Sequence, residues 1–204
     1  MVFVLTVDQR SSRRGPDRVA DVLDRLNAST AAVLRFERTA GDEFQGVLLE
    51  AGAVVDVVLD LARLQGWSIG VGAGPVDTPL PDSTRAASGT AFLCARRAVD
   101  AAKQRPVRVA VRGRSEADAA DAQAVLTALV ALVQRRSAQA WEAIDVVAQG
   151  HTQTEAAARL GITRQAVGQR LAAAQWDLEG ELRPTAARLL LRAEGPPTAA
   201  GVAR

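Results

Sequence analysis

The segment Leu34-Arg35-Phe36-Glu37-Arg38-Thr39-Ala40-Gly41-Asp42-Glu43-Phe44-Gln45-Gly46-Val47-Leu48-Leu49 reads as two short strands around a tight turn. Leu34 and Phe36 alternate with Arg35 and Glu37, the period-two pattern of a half-buried strand. Ala40-Gly41-Asp42 supplies the turn, because glycine tolerates positive φ and aspartate bonds to its own backbone. Phe44 to Leu49 is largely apolar, as in a strand covered on both faces. The hairpin thus carries Asp42 and Glu43 at its tip. Turn formation alone accounts for Asp42; a ligand role requires a second carboxylate beside it.

The N-terminus offers one. Val2 to Val7 is an apolar run of strand length that ends at Asp8. Ligand sites on open sheets lie at such carboxyl ends of strands. If this strand pairs beside the hairpin, Asp8 and Asp42 converge, and two convergent carboxylates repel unless a cation or a proton lies between them. Hard oxygen donors favour Mg²⁺, with phosphates and water completing its shell. After Asp8 comes the basic loop Gln9 to Gly15, with Arg10, Arg13 and Arg14 placed to hold a phosphate or simply to be solvated. Val19, Val22, Leu23 and Leu26 then recur at helical spacing. Gly52 to Gln65 is a second helix with a broad apolar face. In Trp67 to Gly72 the large residues alternate with Ser68, Gly70 and Gly72, so one face is nearly bare and open to close approach by a backbone or a ligand. Ala91 to Ala102 is helical, and Val107, Val109 and Val111 form a last strand. The order β-α-β-β-α-β, with an added α-β, is the split βαβ, ferredoxin-like plan.

These residues carry a resemblance. Leu5-Thr6-Val7-Asp8, Arg38 to Phe44 and Ile69 to Val76 are similar to the palm-like core of class III nucleotide cyclases and GGDEF domains. The chain as a whole resembles the SatD family, through Asp8, Ser12 and Arg13, the Gly-Asp-Glu-Phe-Gln hairpin and a helical C-terminal region. The resemblance implies metal binding by Asp8 and Asp42 and nucleotide binding by Ser12, Arg13 and Arg96. It departs from the cyclases at Phe92, which stands where they carry an asparagine, and at Ala40, where the GGDEF signature has glycine. Losing one electrostatic donor costs about 10²–10³ in rate. Binding without turnover is therefore the expectation, with an enzyme acting on nucleoside triphosphates through Asp8 and Asp42 as the alternative.

Composition is that of an ordinary globular chain, 48% apolar and 24% charged. Cys94 has no partner for a disulfide, and the N-terminal apolar run is too short to span a membrane and lacks a basic leader. A cytoplasmic α+β protein is expected, with a palm-like domain over 1–114, an all-α domain over 115–194 and a disordered tail over 195–204. Up to Arg114 there are 16 basic and 13 acidic residues, and from Ser115 onward 9 and 10. The second region is thus not basic overall, which weighs against strong phosphate-driven DNA binding.

Glu116 to Arg135 is a long apolar helix, read either as a lever between domains or as a surface for a second copy. Ala138 to Gln149 is helical, and the leucines from Leu178 to Leu191 continue as helices broken near Pro184. Between them, His151 to Leu171 carries a more specific signal. Thr152 and Glu155 form a capping box, Gly161 makes the turn and Thr163 caps the next helix. This is a helix-turn-helix over 151–175, resembling those of sigma-factor region 4. Arg164, Gln165 and Gln169 would face bases, while Thr163 and Arg170 would reach phosphate. The expected function is a DNA-binding regulator, a homodimer on double-stranded DNA, that senses a Mg²⁺–nucleotide ligand. The alternative for the helical region is a protein-interaction module.

Overall fold

A computed structural model describes residues 2–10 and 15–195. Ser12, Arg13 and the tail from residue 196 lie outside the described residues. The structure is mixed α and β, with a five-stranded sheet and, among the described residues, eight α-helices. Strands β1 (Phe3–Gln9), β2 (Leu34–Ala40), β3 (Glu43–Leu48), β4 (Trp67–Ala73) and β5 (Val109–Arg112) lie in the order β2-β3-β1-β4-β5. Every pairing is antiparallel except β4 with β5. The hairpin read from sequence is β2-β3, and Gly41 turns it with φ +59°.

The two faces of the sheet are covered differently. On one, Phe3, Leu5, Val7, Phe44, Leu48, Ile69 and Val71 meet helices α1 (Val19–Ser29) and α2 (Ala51–Leu64) in one continuous core. On the other lies α3 (Thr90–Ala102), which buries Ala91, Ala95, Ala98 and Ala102. The bare face of β4 is what admits it. A Cβ added at Gly70 would overlap Val99 N, and one at Gly72 would overlap Ala91 O. The close approach expected at these glycines is made by a helix backbone of the chain itself.

Helix α4 (Glu116–Gln134) does not stand apart as a lever. Ala119, Ala122, Leu126, Leu129, Val130 and Val133 join the same core as α1 and α2. So do Ala186, Leu190 and Ala193 of α8 (Trp176–Ala193). The boundary expected at Arg114 therefore falls inside one hydrophobic core. A break near Pro184 was also expected, yet α8 runs through it unbroken. Proline forfeits one helical hydrogen bond and its ring crowds the carbonyl four residues back. Here burial of Ala186, Leu190 and Ala193 beyond the proline holds the helix together.

The remaining helices, α5 (Ala138–Val147), α6 (Gln153–Leu160) and α7 (Arg164–Ala173), enclose a second, smaller core of Ala140, Ala143, Ile144, Ala156, Ala157, Val167, Leu171 and Ala174. Among the described residues, Trp141 is the one apolar side chain that packs against both cores.

The α3–β4 contact sets a first expectation. Gly72→Ala should destabilise the fold by about 1–3 kcal/mol, the usual penalty of overpacking. Urea denaturation reads this as a lower midpoint at an unchanged slope. An unchanged midpoint would show that α3 is free to shift away from β4.

Candidate nucleic-acid interface and the acidic strand ends

Helix α6 begins at a complete capping box. Thr152 Oγ1 accepts from Glu155 N at 3.2 Å, and Thr152 N donates to Glu155 Oε2 at 2.7 Å. These bonds satisfy amide donors that the first helical turn leaves unpaired. The helix closes at Gly161 (φ +65°), and Ile162 N returns to Ala157 O at 3.1 Å. Thr163 then caps α7, accepting from Ala166 N at 3.1 Å. Val167 and Leu171 turn inward onto Ala156 and Ala157.

The outer face of α7 is polar and unengaged. Arg164, Gln165 and Gln169 are exposed, and among the described residues none has a hydrogen-bond or ion-pair partner within the chain. Thr163 is exposed beside them. Arg170, expected at the phosphates, is placed otherwise. It donates to Glu142 Oε2 at 3.0 Å and to Gln139 O at 3.3 Å, tying α7 to α5.

The strand ends on the α3 side form the second candidate. Asp8 stands opposite Glu43 on β3 and Ser68 on β4. The hairpin tip reaches the same end of the sheet, where Gln9 N donates to Asp42 O at 3.3 Å. The Asp42 backbone thus lies beside the end of β1, and Asp8 already has a cation: Lys103 Nζ lies 2.8 Å from its Oδ2. Glu43 is buried, and both its oxygens accept from Arg96 Nη1, at 2.7 and 2.6 Å. Thr39 adds a bond to Glu43 Oε1 at 3.0 Å. Arg96, expected to hold a nucleotide, therefore grips a carboxylate of its own chain. Phe92 is half-buried against the apolar cluster around Val4 and Val47.

Among the described residues, no group of three or more His, Cys, Asp or Glu side chains is placed to hold a metal ion. As arranged, the donors do not fit Mg²⁺ well, because α3 supplies the positive charge that a metal would. Sequence reading did not find the Arg96–Glu43 and Lys103–Asp8 pairs. Their signal was the seven-residue spacing of Arg96 and Lys103, which puts both on one face of a helix.

A third polar assembly, also missed, lies between the two cores. Arg63 of α2 forks onto Asp145 of α5 with two bonds of 2.6 Å. Its guanidinium carbon sits 4.1 Å from the Trp141 ring centroid. Arg136 lies 5.0 Å from the same ring and 5.8 Å from that of Trp176. The Arg136 and Glu179 side chains are each only 1% exposed, and Arg136 Nη1 is 2.5 Å from Glu179 Oε2. The contact is close but lies off the hydrogen-bonding direction, so it acts as an ion pair rather than a directed bond. Burial pushes the Arg136 guanidinium below its ordinary pKa, and the Glu179 charge opposes that shift.

No protein-family model matches the chain, and neither curated proteins nor solved structures show a match to it. No helix among the described residues is long and apolar enough to cross a membrane.

The capping box makes one prediction about pH. The Thr152 N–H, and next its hydroxyl, hold the Glu155 carboxyl below the usual carboxylate range. A depressed carboxyl stabilises the fold above its unfolded pKa, and that contribution is lost as pH falls through the folded value. Wild type should therefore be more stable than Glu155→Gln at neutral pH, with the gap closing below about pH 4. Paired thermal melts from pH 7 to pH 3 measure it, and a gap independent of pH would mean that the box does not titrate.

Proposed function

We propose that this chain is a sequence-specific DNA-binding regulator that reads the major groove with α7. The observation that carries the reading is the division of that helix: Val167 and Leu171 fill the three-helix core while Arg164, Gln165 and Gln169 stand exposed, without a partner among the described residues. In helix-turn-helix proteins the second helix enters the groove by its N-terminal residues. Arginine suits guanine and glutamine suits adenine, each by two parallel hydrogen bonds. A pair of copies on a palindromic site is the assembly this predicts. Thr163 completes the contact surface at the phosphates, whereas Arg170 positions α7.

Selection of bound duplexes from a random pool tests the reading. One sequence should be enriched, and Arg164→Ala should lose about 1–3 kcal/mol at a single base position. A pool that stays random, with Arg164→Ala binding as wild type does, overturns it.

The N-terminal portion supports a finer reading of its own. The run β1-α1-β2-β3-α2-β4, antiparallel in the order β2-β3-β1-β4, fits a ferredoxin-like, palm-like plan with β5 added at the edge. Together with the Asp8, Gly41-Asp42-Glu43-Phe44 and helix-turn-helix segments, it favours the SatD-like resemblance. We read this portion as a degenerate cyclase-like domain. Its retained feature is a hairpin tip at Asp42 beside the end of β1; its departures are Lys103 on Asp8 and Arg96 on Glu43. A Mg²⁺–nucleotide ligand at Asp8 and Asp42 is the second reading, and it requires Lys103 to swing away. Calorimetric titration of ATP and GTP with Mg²⁺ decides it. Heat released with wild type and absent with Asp8→Asn/Asp42→Asn supports the ligand; no heat with either assigns Asp8 and Asp42 to structure alone.

A further inference from the structure

The two hydrophobic cores are apolar, and the space between them is lined in good part by charged side chains. A cavity of about 350 Å³ runs between α2 on one side and α5 and α8 on the other, lined by Asp56, Asp60, Arg63, Asp145, Glu179 and Arg183 among others. Arg183 crosses it, bonding Glu179 Oε1 and approaching Asp56 Oδ1 to 2.5 Å. Arg136 donates to Ala174 O at 3.0 Å, just past the end of α7. Among the described residues, Trp141 is the single apolar side chain packed against both cores. The polar links from the body to the three-helix unit are the Arg63–Asp145 fork and the Arg136 bond to Ala174 O, whereas Arg183 joins α8 to α2 within the body.

Apolar contact is non-directional and insensitive to moderate salt, whereas ion pairs with exposed flanks are screened. Arg63 and Asp145 are exposed by 33% and 46%, so salt reaches them; Arg136 and Glu179 at 1% are shielded. The core within the three-helix unit is small and built mostly from alanine. Such a unit depends on its docking for stability, and segments of low local stability open before the whole molecule does.

We propose that α5–α7 opens as a cooperative unit of its own, released at this polar joint, and that Arg63 is the clasp that holds it shut. Opening breaks the Arg63–Asp145 fork and the stack on Trp141, and leaves the sheet and its helices intact. The inference does not depend on DNA binding.

Hydrogen exchange of the full-length protein tests it. In Arg63→Ala, amides of α5–α7 should exchange about 3- to 10-fold faster than in wild type, while those of β1, β4 and α3 keep their rates. Raising the salt from about 0.1 M to 1 M shortens the screening length from about 10 Å to 3 Å. Wild type should then move toward the variant, and the variant should respond little. The exchanged pair Arg63→Asp/Asp145→Arg should restore slow exchange, since an arginine at 145 lies one turn from Trp141 on the same helix. Unchanged rates in Arg63→Ala overturn the proposal. So does faster exchange spread equally through β1 and β4, or a charge-swapped protein no slower than Arg63→Ala.

Discussion

The absence of two side chains, at Gly70 and Gly72, lets the backbone of α3 rest directly on β4, and much of the candidate chemistry is set by that contact. With any Cβ at either glycine the helix would ride higher on the sheet. Because it lies low, the face bearing Arg96 and Lys103 comes down over the ends of β1 and β3. Two carboxylates brought that close to each other in a folded chain must be neutralised. Here Asp8 and Glu43 each receive a basic partner from α3. The small residues on both sides, alanines on α3 and glycines on β4, are thus tied to the charges at the strand ends. A bulkier interface would leave the acids to find a metal or a proton instead.

The same economy of bulk has a different outcome at the joint between the cores. Burying Arg136 and Glu179 costs several kcal/mol per ion in desolvation, which their mutual attraction only partly offsets. The rings of Trp141 and Trp176 recover some of it, since aromatic faces attract guanidinium most when water is excluded. Such a joint adds little net stability compared with an apolar one. What it adds is direction: a fork of two 2.6 Å bonds fixes an angle that leucine packing would leave loose. That fixed angle also sets the attitude at which α7 stands relative to the sheet.

The hairpin, the central strand ending at Asp8, the glycine face of β4 and the two capped helices around Gly161 were all legible in sequence. Each rests on local chemistry: period-two alternation, a residue free to take positive φ, a threonine with a glutamate three positions on. The merging of α4 and α8 into the first core was not legible. An apolar helical stripe records that a helix is covered, never by what. Pro184 misled for a related reason, since the tertiary burial that overrides its local penalty comes from residues far away in sequence. Arg170 looked like a phosphate ligand because helical phase puts it near the exposed face, and only the placement of α5 turns it onto Glu142. Glu179 reads as a surface residue on an amphipathic helix, and nothing local predicts its burial.

The even charge count of the helical unit hides an uneven distribution. Residues 138–175 contain three arginines and three acids, so the three-helix unit is formally neutral. Each acid, however, is engaged. Glu142 holds Arg170, Asp145 holds Arg63 of the body, and Glu155 is spent on the amide and hydroxyl of Thr152 at the start of α6. Arg159 and Arg164 remain exposed without a partner among the described residues. Glu155, bonded only to neutral groups, keeps its negative charge one turn from Arg159, so Arg164 is the one of the two that lies farther along the chain from that acid. With so few free cations, few counterions would be released on DNA, and the salt dependence of binding would be shallow. In the DNA complex proposed above, discrimination would therefore come from hydrogen bonds to base edges, the chemistry that Arg164, Gln165 and Gln169 offer.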